Sequence, residues 1–219
     1  MISYDMIRTN PDIRAYISAA DASLEALGYT EHSFAHVTRA AEVAADILSR
    51  LGYDEHTVEL AKIAGFLHDI GNLVNRVDHS QSGAIIAFRL LDRLGMPAED
   101  IADIVSAIGN HDEGTGVAVN PIAAALILAD KTDVRRSRVR NTDATTFDIH
   151  DRVNYSVEKS EVLLDTEKKT LALILTVDVG IGSVMDYFEI FLGRMVMCRK
   201  AAERLGLTFT LEINRQRLL

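Results

Sequence analysis

The sequence predicts a mainly α-helical fold, a helical bundle with a small C-terminal α+β appendage. Two observations predict this class. Apolar residues recur at helical spacing in six segments between residues 10 and 130. Beyond about residue 140 the pattern changes to apolar-rich strands around one long helix. No Gly/Ser-rich linker separates the two parts, so we expect a helical domain over 1–140 with an α+β subdomain over 141–219 packed on it.

Capping residues and glycines place the boundaries of the six helices. Asn10-Pro11 and Asn120-Pro121 each combine a good N-cap with a proline at the first helical position. Glycine just past the last apolar position ends a helix, as at Gly28 and Gly52. The predicted helices cover about residues 11–27, 33–51, 54–69, 80–94, 98–110 and 121–130.

The C-terminal part reads as a β-β-α-β unit. Two strands are predicted over 157–164 and 170–179, joined by a polar turn. A helix over 183–205 and a third strand over 208–213 follow. The stretch 142–155 is expected to be a connector with some helix.

Composition narrows the classes of function. The 219 residues carry a net charge of −9, which argues against general affinity for nucleic acid or an anionic membrane. The longest apolar runs are too short to cross a bilayer. A single cysteine, Cys198, permits no internal disulfide and fits a reducing compartment. We therefore expect a cytoplasmic protein without a membrane or bulk nucleic-acid partner, and a homodimer is left open.

The most informative residues are histidines and aspartates near predicted helix ends. Because several helices can aim such side chains at one point, we expect them to form a metal centre in the bundle. Nitrogen and oxygen ligands without thiolate favour Fe or Mn, with Zn and Mg as alternatives. Six ligands suit two divalent ions, with one carboxylate bridging them. The candidate ligands are His36, His68, Asp69, His79, His111 and Asp130.

The order of these residues resembles a known family. His36, then His68-Asp69-Ile70-Gly71, then Asp130 is similar to the H…HD…D motif of the HD superfamily of metal-dependent phosphohydrolases. The resemblance covers about residues 30–140. It implies a helical HD domain and hydrolysis of a phosphomonoester, phosphodiester or anhydride bond in a nucleotide-like molecule by metal-activated water. Asp69 is then the catalytic residue that bridges the ions.

Two further histidines refine the resemblance. His79 and Asn110-His111 look most like the HD-type symmetrical diadenosine tetraphosphate hydrolases, which use two metals. HD-GYP cyclic-di-GMP phosphodiesterases are a more distant match, because Asn72 replaces their usual Lys and Asp112 replaces their second His. Two alternatives stay open: a di-iron oxygenase of HD type, and a non-catalytic regulatory protein that binds a nucleotide.

Cations crowd the stretch after Asp130. Guanidinium groups bind phosphate oxygens bidentately and stabilise a phosphoryl group during transfer. We expect Lys131, Arg135 and Arg136 to bind the phosphate of a small phosphorylated substrate.

Overall fold

A computed structural model describes residues 2–219, which form nine α-helices and a four-stranded sheet. The helices are α1 (Tyr4–Thr9), α2 (Pro11–Ala26), α3 (Phe34–Arg50), α4 (Glu55–Leu67), α5 (His79–Arg93), α6 (Ala98–Gly109), α7 (Pro121–Lys131), α8 (Ile149–Ser156) and α9 (Val184–Arg204). The strands are β1 (Val157–Asp165), β2 (Thr170–Val177), β3 (Thr208–Ile213) and β4 (Gln216–Arg217). Short 3-10 turns cover Ile70–Leu73, Arg136–Arg138 and Ala144–Thr146.

The predicted fold class is confirmed: the chain is mainly helical, with a small sheet at its C-terminal end. The six predicted helices correspond to α2 through α7, with bounds that differ by one or two residues. Helix α8 supplies the helix expected in the connector over 142–155. Two elements were not anticipated: α1 is too short to show a helical period, and β4 has only two residues.

Helix α7 is the central element of the helical part. Every residue from Ile122 to Lys131 is buried, because α3, α4, α6 and α9 all pack around this helix. Helices α3 and α4 also pack directly on each other. At their contact a Cβ on Gly65 would lie 2.6 Å from Ala41 Cα, so only glycine permits this approach. The tight packing fixes the helix ends that carry the candidate ligands.

The sheet has the order β1-β2-β3-β4. Strand β2 pairs antiparallel with β1 and parallel with β3, and β3 pairs antiparallel with β4. Helix α9 makes the crossover between the parallel pair, as a parallel connection requires. It packs against β3 and also against α7. Side chains of the C-terminal part are thereby brought to the helical part.

A single cluster of buried apolar side chains runs through both parts. The division at residue 140 stays a prediction, and the shared core is consistent with the expected packing of the two parts. None of the helices in residues 2–219 combines the length and the apolar character that a membrane crossing needs.

Candidate metal centre

The structure gathers all six candidate ligands into one group, called here the His/Asp cluster. Each is contributed by a helix end or by the residues next to it, and each is less than a tenth exposed. Buried ionisable groups at this density need partners or a bound cation. The members are His36 in the first turn of α3, His68 and Asp69 just after α4, His79 at the start of α5, His111 just after α6, and Asp130 in the last turn of α7.

Three of the histidines are held in the same way by the backbone. In each, the ring Nδ1 bonds the carbonyl oxygen three residues earlier, so Nδ1 carries the proton and Nε2 keeps its lone pair. The pairs are His68 with Gly65 at 2.7 Å, His79 with Arg76 at 3.0 Å and His111 with Ile108 at 2.6 Å. The local helix-end geometry therefore presents three Nε2 atoms as acceptors.

His36 is oriented by a carboxylate instead. Its Nδ1 donates to Asp133 Oδ2 at 2.8 Å, which leaves Nε2 facing the cluster. A histidine that donates its second N–H to a carboxylate is the usual arrangement of a metal ligand and its supporting residue. Asp133 was missed by sequence reasoning. Its signal was available: it lies three residues after Asp130, a spacing that places two side chains close together at a helix end.

The two oxygens of Asp69 face different histidines. Oδ2 lies 3.3 Å from His68 Nε2 and 3.5 Å from His36 Nε2. Oδ1 lies 3.5 Å from His79 Nε2, on the other side of the carboxylate. Asp69 is thus placed between two groups of nitrogen atoms, as a bridging carboxylate would be. Two overlapping sets have ligand atoms within 4.8 Å of one another: His36, His68 and Asp130, and His68, Asp69 and His111.

The nitrogen atoms are arranged as ligands of a cation would be. His36 Nε2 and His68 Nε2 are buried and have no hydrogen-bond partner, although buried polar atoms are rarely unsatisfied. His79 Nε2 and His111 Nε2 lie only 3.2 Å apart. With both Nδ1 atoms protonated, two lone pairs face each other across this gap, which a shared cation would relieve. The donor set and its geometry therefore fit divalent metal ions.

The charge state of the cluster is also consistent with the binding of divalent metal ions. Burial lowers the pKa of His111 to about 3 and also lowers the pKa of His79, so both rings are neutral near pH 7. Burial raises the pKa of Asp130, but the Lys131 ammonium together with His36 and His68 holds that pKa well below its usual range. Burial opposes protonation of His36, yet the carboxylates of Asp130, Asp133 and Asp69 around its ring raise its pKa to about 10.

The comparison with protein families agrees with this geometry. The protein-family model described as the HD domain matches residues 33–154. This range is more than half of the chain and contains every member of the His/Asp cluster. This chain belongs to the HD domain family.

Two relatives extend the comparison. The uncharacterized protein MJ1020 of Methanocaldococcus jannaschii is 24% identical over 208 residues, which cover 84% of this chain and 80% of the relative. A crystal structure described as a predicted HD superfamily hydrolase from an uncultured Thermotogales bacterium is 28% identical. That match covers 60% of this chain and 73% of the other, with a TM-score of 0.44.

The Gly of the His-Asp-Ile-Gly run has a steric role in this HD domain. A Cβ on Gly71 would lie 1.9 Å from the carbonyl oxygen of His79 and 2.5 Å from the backbone nitrogen of Gly83. The turn after Asp69 therefore packs directly against the first turn of α5. Close approach of these two backbones holds His79 beside Asp69.

Lys131 lies beside the cluster, and its contact with substrate phosphate stays a prediction. It is buried, and its Nζ lies 2.8 Å from Asp130 Oδ2, 3.6 Å from Glu113 Oε1 and 4.0 Å from Asp112 Oδ1. Asp112 in turn lies 4.0 Å from His79 Nε2. One cation, Lys131, and two carboxylates, Asp112 and Glu113, therefore lie at the rim of the cluster.

The two predicted arginines are engaged with other groups. Arg135 donates to Asp133 at 2.8 Å and pairs with Glu31 at 3.3 Å, so it supports the partner of His36. Arg136 donates to the carbonyl of Tyr155 and lies over that residue's ring. Neither guanidinium contacts a cluster residue within residues 2–219. Phosphate binding by this pair stays a prediction.

Asn72 and Arg76 support the cluster from the loop before α5. Asn72 Nδ2 donates to Asp69 Oδ1 at 3.0 Å and to the Asp69 carbonyl at 2.9 Å. Arg76 Nη1 lies 3.4 Å from Asn72 Oδ1 and 3.3 Å from His79 Nε2. Asn72, which departs from the HD-GYP pattern, therefore fixes the orientation of the Asp69 carboxylate.

Replacing Asp133 by Asn is expected to weaken metal binding by about 10- to 100-fold, because it removes the carboxylate that orients His36. Competition with a chromophoric chelator measures the affinity, and a melting curve measures the accompanying loss of ion pairs with Arg39 and Arg135. Asp100→Asn is the matched control, since Asp100 bonds His56 at 2.8 Å outside the cluster. A lower Tm with unchanged metal affinity would mean that Asp133 is only structural.

Proposed function

We propose that this protein is a metal-dependent phosphohydrolase that cleaves a phosphate ester or anhydride bond of a nucleotide-like small molecule. Membership in the HD domain family supports this class of reaction. The observation that carries the proposal is the orientation of the four histidines. All four have Nδ1 bonded to a carbonyl or carboxylate oxygen and Nε2 directed to the cluster, with Asp69 between the two groups.

The residues divide naturally into two sets. His36, His68 and Asp130 would hold one divalent ion, and His79 and His111 a second, with Asp69 shared by both. Such ions polarise a phosphoryl oxygen and lower the pKa of water. Fe and Mn are the first candidates for this mixed donor set, followed by Zn and Mg.

Side chains around the cluster supply the remaining chemistry. Burial raises the pKa of Asp112, but Lys131 together with His79, His111 and Arg76 keeps that pKa below its usual range. Asp112 is therefore a carboxylate near pH 7 and can accept a proton from the attacking water. Lys131 and Arg76 flank the site and offset negative charge that develops on the phosphoryl oxygens. Water forms the new P–O bond, the ester P–O bond breaks, and the leaving oxygen takes up a proton.

The direct test is a screen for hydrolysis products. The protein is purified with its native metal, the metal is quantified, and mononucleotides, cyclic nucleotides and dinucleoside polyphosphates are supplied in turn, with nucleotide and nucleoside products separated by chromatography and free phosphate measured for the monoesters. Product formation that is equal with and without O₂ supports a hydrolase and contradicts the di-iron oxygenase. Tight nucleotide binding without turnover in fully metallated protein would instead support the non-catalytic regulatory alternative.

Chelation is expected to remove both activity and part of the stability. A metal present at 100 times its Kd stabilises the folded state by about 2.7 kcal/mol, which corresponds to roughly 5–10 °C in Tm for a domain of this size. Melting curves with and without EDTA, followed by readdition of Mn²⁺ or Fe²⁺, measure the effect. An unchanged Tm, with no metal detected in the purified protein, would contradict a metal centre at the His/Asp cluster.

A further inference from the structure

A cavity of about 330 Å³, called here the side cavity, is lined by residues outside the His/Asp cluster, some of which contact cluster members. Its walls come from the segment after α2, from the loop before α5, and from α8 and α9. Two lining residues also touch the cluster. Arg76 Nη1 lies 3.3 Å from His79 Nε2, and the His32 ring lies edge-on to His36 with centroids 5.6 Å apart. The side cavity is therefore the space into which the organic part of a substrate bound at the cluster would extend.

Two further arginines line the side cavity near the cluster. Arg138 is 96% buried, and it donates from Nε to the Glu31 carbonyl and from Nη1 to the Asp133 carbonyl. Among residues 2–219 its Nη2 has no hydrogen-bond partner. Arg194 donates from Nε to Glu113 at 2.7 Å. These guanidinium groups are fixed by their other contacts and keep N–H groups free for phosphate oxygens.

Arg194 is also held from a second direction. Its guanidinium lies 4.4 Å from the centroid of the Phe191 ring, in the same helix α9. With Nε bonded to Glu113, both of its Nη atoms remain without a partner among residues 2–219. Glu113 lies 3.6 Å from Lys131, the neighbour of Asp130. Helix α9 of the C-terminal part thus contributes a guanidinium group that is held in place close to Lys131.

The wall formed by α8 has the opposite chemistry. Asp151 is 91% buried, and only its Oδ2 accepts a hydrogen bond, from Asn141 at 3.3 Å. No side chain of residues 2–219 donates to its Oδ1, and no cation pairs with it. A carboxylate oxygen that receives no donor from the protein is open to a ligand that brings hydroxyl or amine donors, so Asp151 favours such a ligand.

We propose that the side cavity binds the sugar of a phosphomonoester the size of one ribonucleotide, and this proposal rests on the proposed hydrolase function. Asp151 determines specificity by accepting hydrogen bonds from the hydroxyl groups of that sugar. Arg138 and Arg194 bind the phosphate end beside the cluster. Carboxylates bind ribose hydroxyls in this way in nucleotide-binding folds. A volume of about 330 Å³ is at the small end of small-molecule sites. The second nucleoside of a dinucleoside polyphosphate would have to lie outside it.

The test compares two substrates of nearly equal size on the metallated full-length protein: AMP and 2′,3′-dideoxy-AMP. We expect AMP to be preferred about tenfold or more in kcat/KM, mainly through KM, because hydrogen bonds to a charged acceptor are strong. Asp151→Asn keeps the shape but removes the charge, and should reduce this preference to about two- to threefold. Arg194→Met should lower kcat/KM for both substrates and leave their ratio unchanged.

Matched controls separate recognition from folding. Asp186→Asn makes the same change at the equivalent third position of α9 and should keep the tenfold preference. Arg199→Met, on the exposed face of α9, should leave both substrates unaffected. Equal use of the two nucleotides by the unaltered protein, or equal loss of preference in Asp151→Asn and Asp186→Asn, would overturn the inference.

A second measurement separates failure of the proposed hydrolysis from failure of the proposed sugar binding in the side cavity. If no ester releases phosphate, the proposed function fails, and calorimetry on the metallated protein then compares binding of AMP, dideoxy-AMP and ribose 5-phosphate. Tighter binding of the hydroxylated ligands that is lost in Asp151→Asn would support the side cavity alone. Absence of binding by AMP and ribose 5-phosphate would overturn it.

Discussion

Replacing Asp69 by Asn is expected to lower phosphate release by roughly 10³-fold or more and to reduce the bound metal. Asp69 lies between His68 and His79, with one oxygen toward each. The amide keeps the volume but loses the negative charge and one of the two acceptor atoms. Phosphate release, metal content by elemental analysis and far-UV circular dichroism are measured on the same preparation.

Asp92→Asn is the control for this variant, because Asp92 is exposed on α5 and lies outside the cluster. It should retain normal activity and metal content. Full turnover by the Asp69→Asn variant would rule out a mechanism that shares Asp69 between two ions. Loss of helical signal in Asp69→Asn would point to a structural effect, and a titration of metal into refolded protein would then decide the ligand role.

Replacing Gly65 by Ala is expected to destabilise the protein by about 3 kcal/mol, at the upper end of the range for overpacking a core. The added Cβ would lie 2.6 Å from Cα and 2.7 Å from N of Ala41. Both are backbone atoms, so the clash is relieved only by separating α3 from α4. Because these helices carry His36 and His68, we also expect metal affinity to fall. Urea unfolding at constant metal concentration measures the change in free energy of unfolding.

Gly193→Ala provides a control of opposite sign. Gly193 lies inside α9, and a Cβ there meets no atom within 4 Å. Alanine in a helix interior is favoured over glycine by up to about 1 kcal/mol, so this variant should be more stable. Equal stability of the Gly65 and Gly193 variants would show that α3 and α4 can separate without cost.

The fold could be predicted largely from the sequence because its longer helices combine a capping residue with apolar residues at helical spacing. Pro11 and Pro121 follow asparagine caps, and both begin helices as expected. Short elements lack such redundancy. Helix α8 has a good cap in Asp148, but its eight residues lie in a polar stretch where no apolar period stands out.

The cluster was predictable for a different reason: its members are rare residue types at helix ends in a recognisable order. The contacts that support the cluster were harder to predict, because they depend on side-chain orientations that the spacing of residues in the sequence does not determine. Arg135 and Arg136 follow the cluster closely in sequence, yet their guanidinium groups contact Asp133 and Tyr155. Arg194, which lies far along the chain, is brought to the rim by α9.

The hydrogen bonds of the cluster histidines have a consequence for how this site can vary. Three rings are held by backbone carbonyls, which no side-chain substitution removes. His36, Asp69 and Asp130 instead depend on replaceable side chains, Asp133, Asn72 and Lys131. Drift among relatives, or deliberate engineering, can therefore change metal affinity gradually at these three supporting positions while the other three histidines keep their tautomer. The site has a fixed half and an adjustable half, and the adjustable half includes the shared carboxylate.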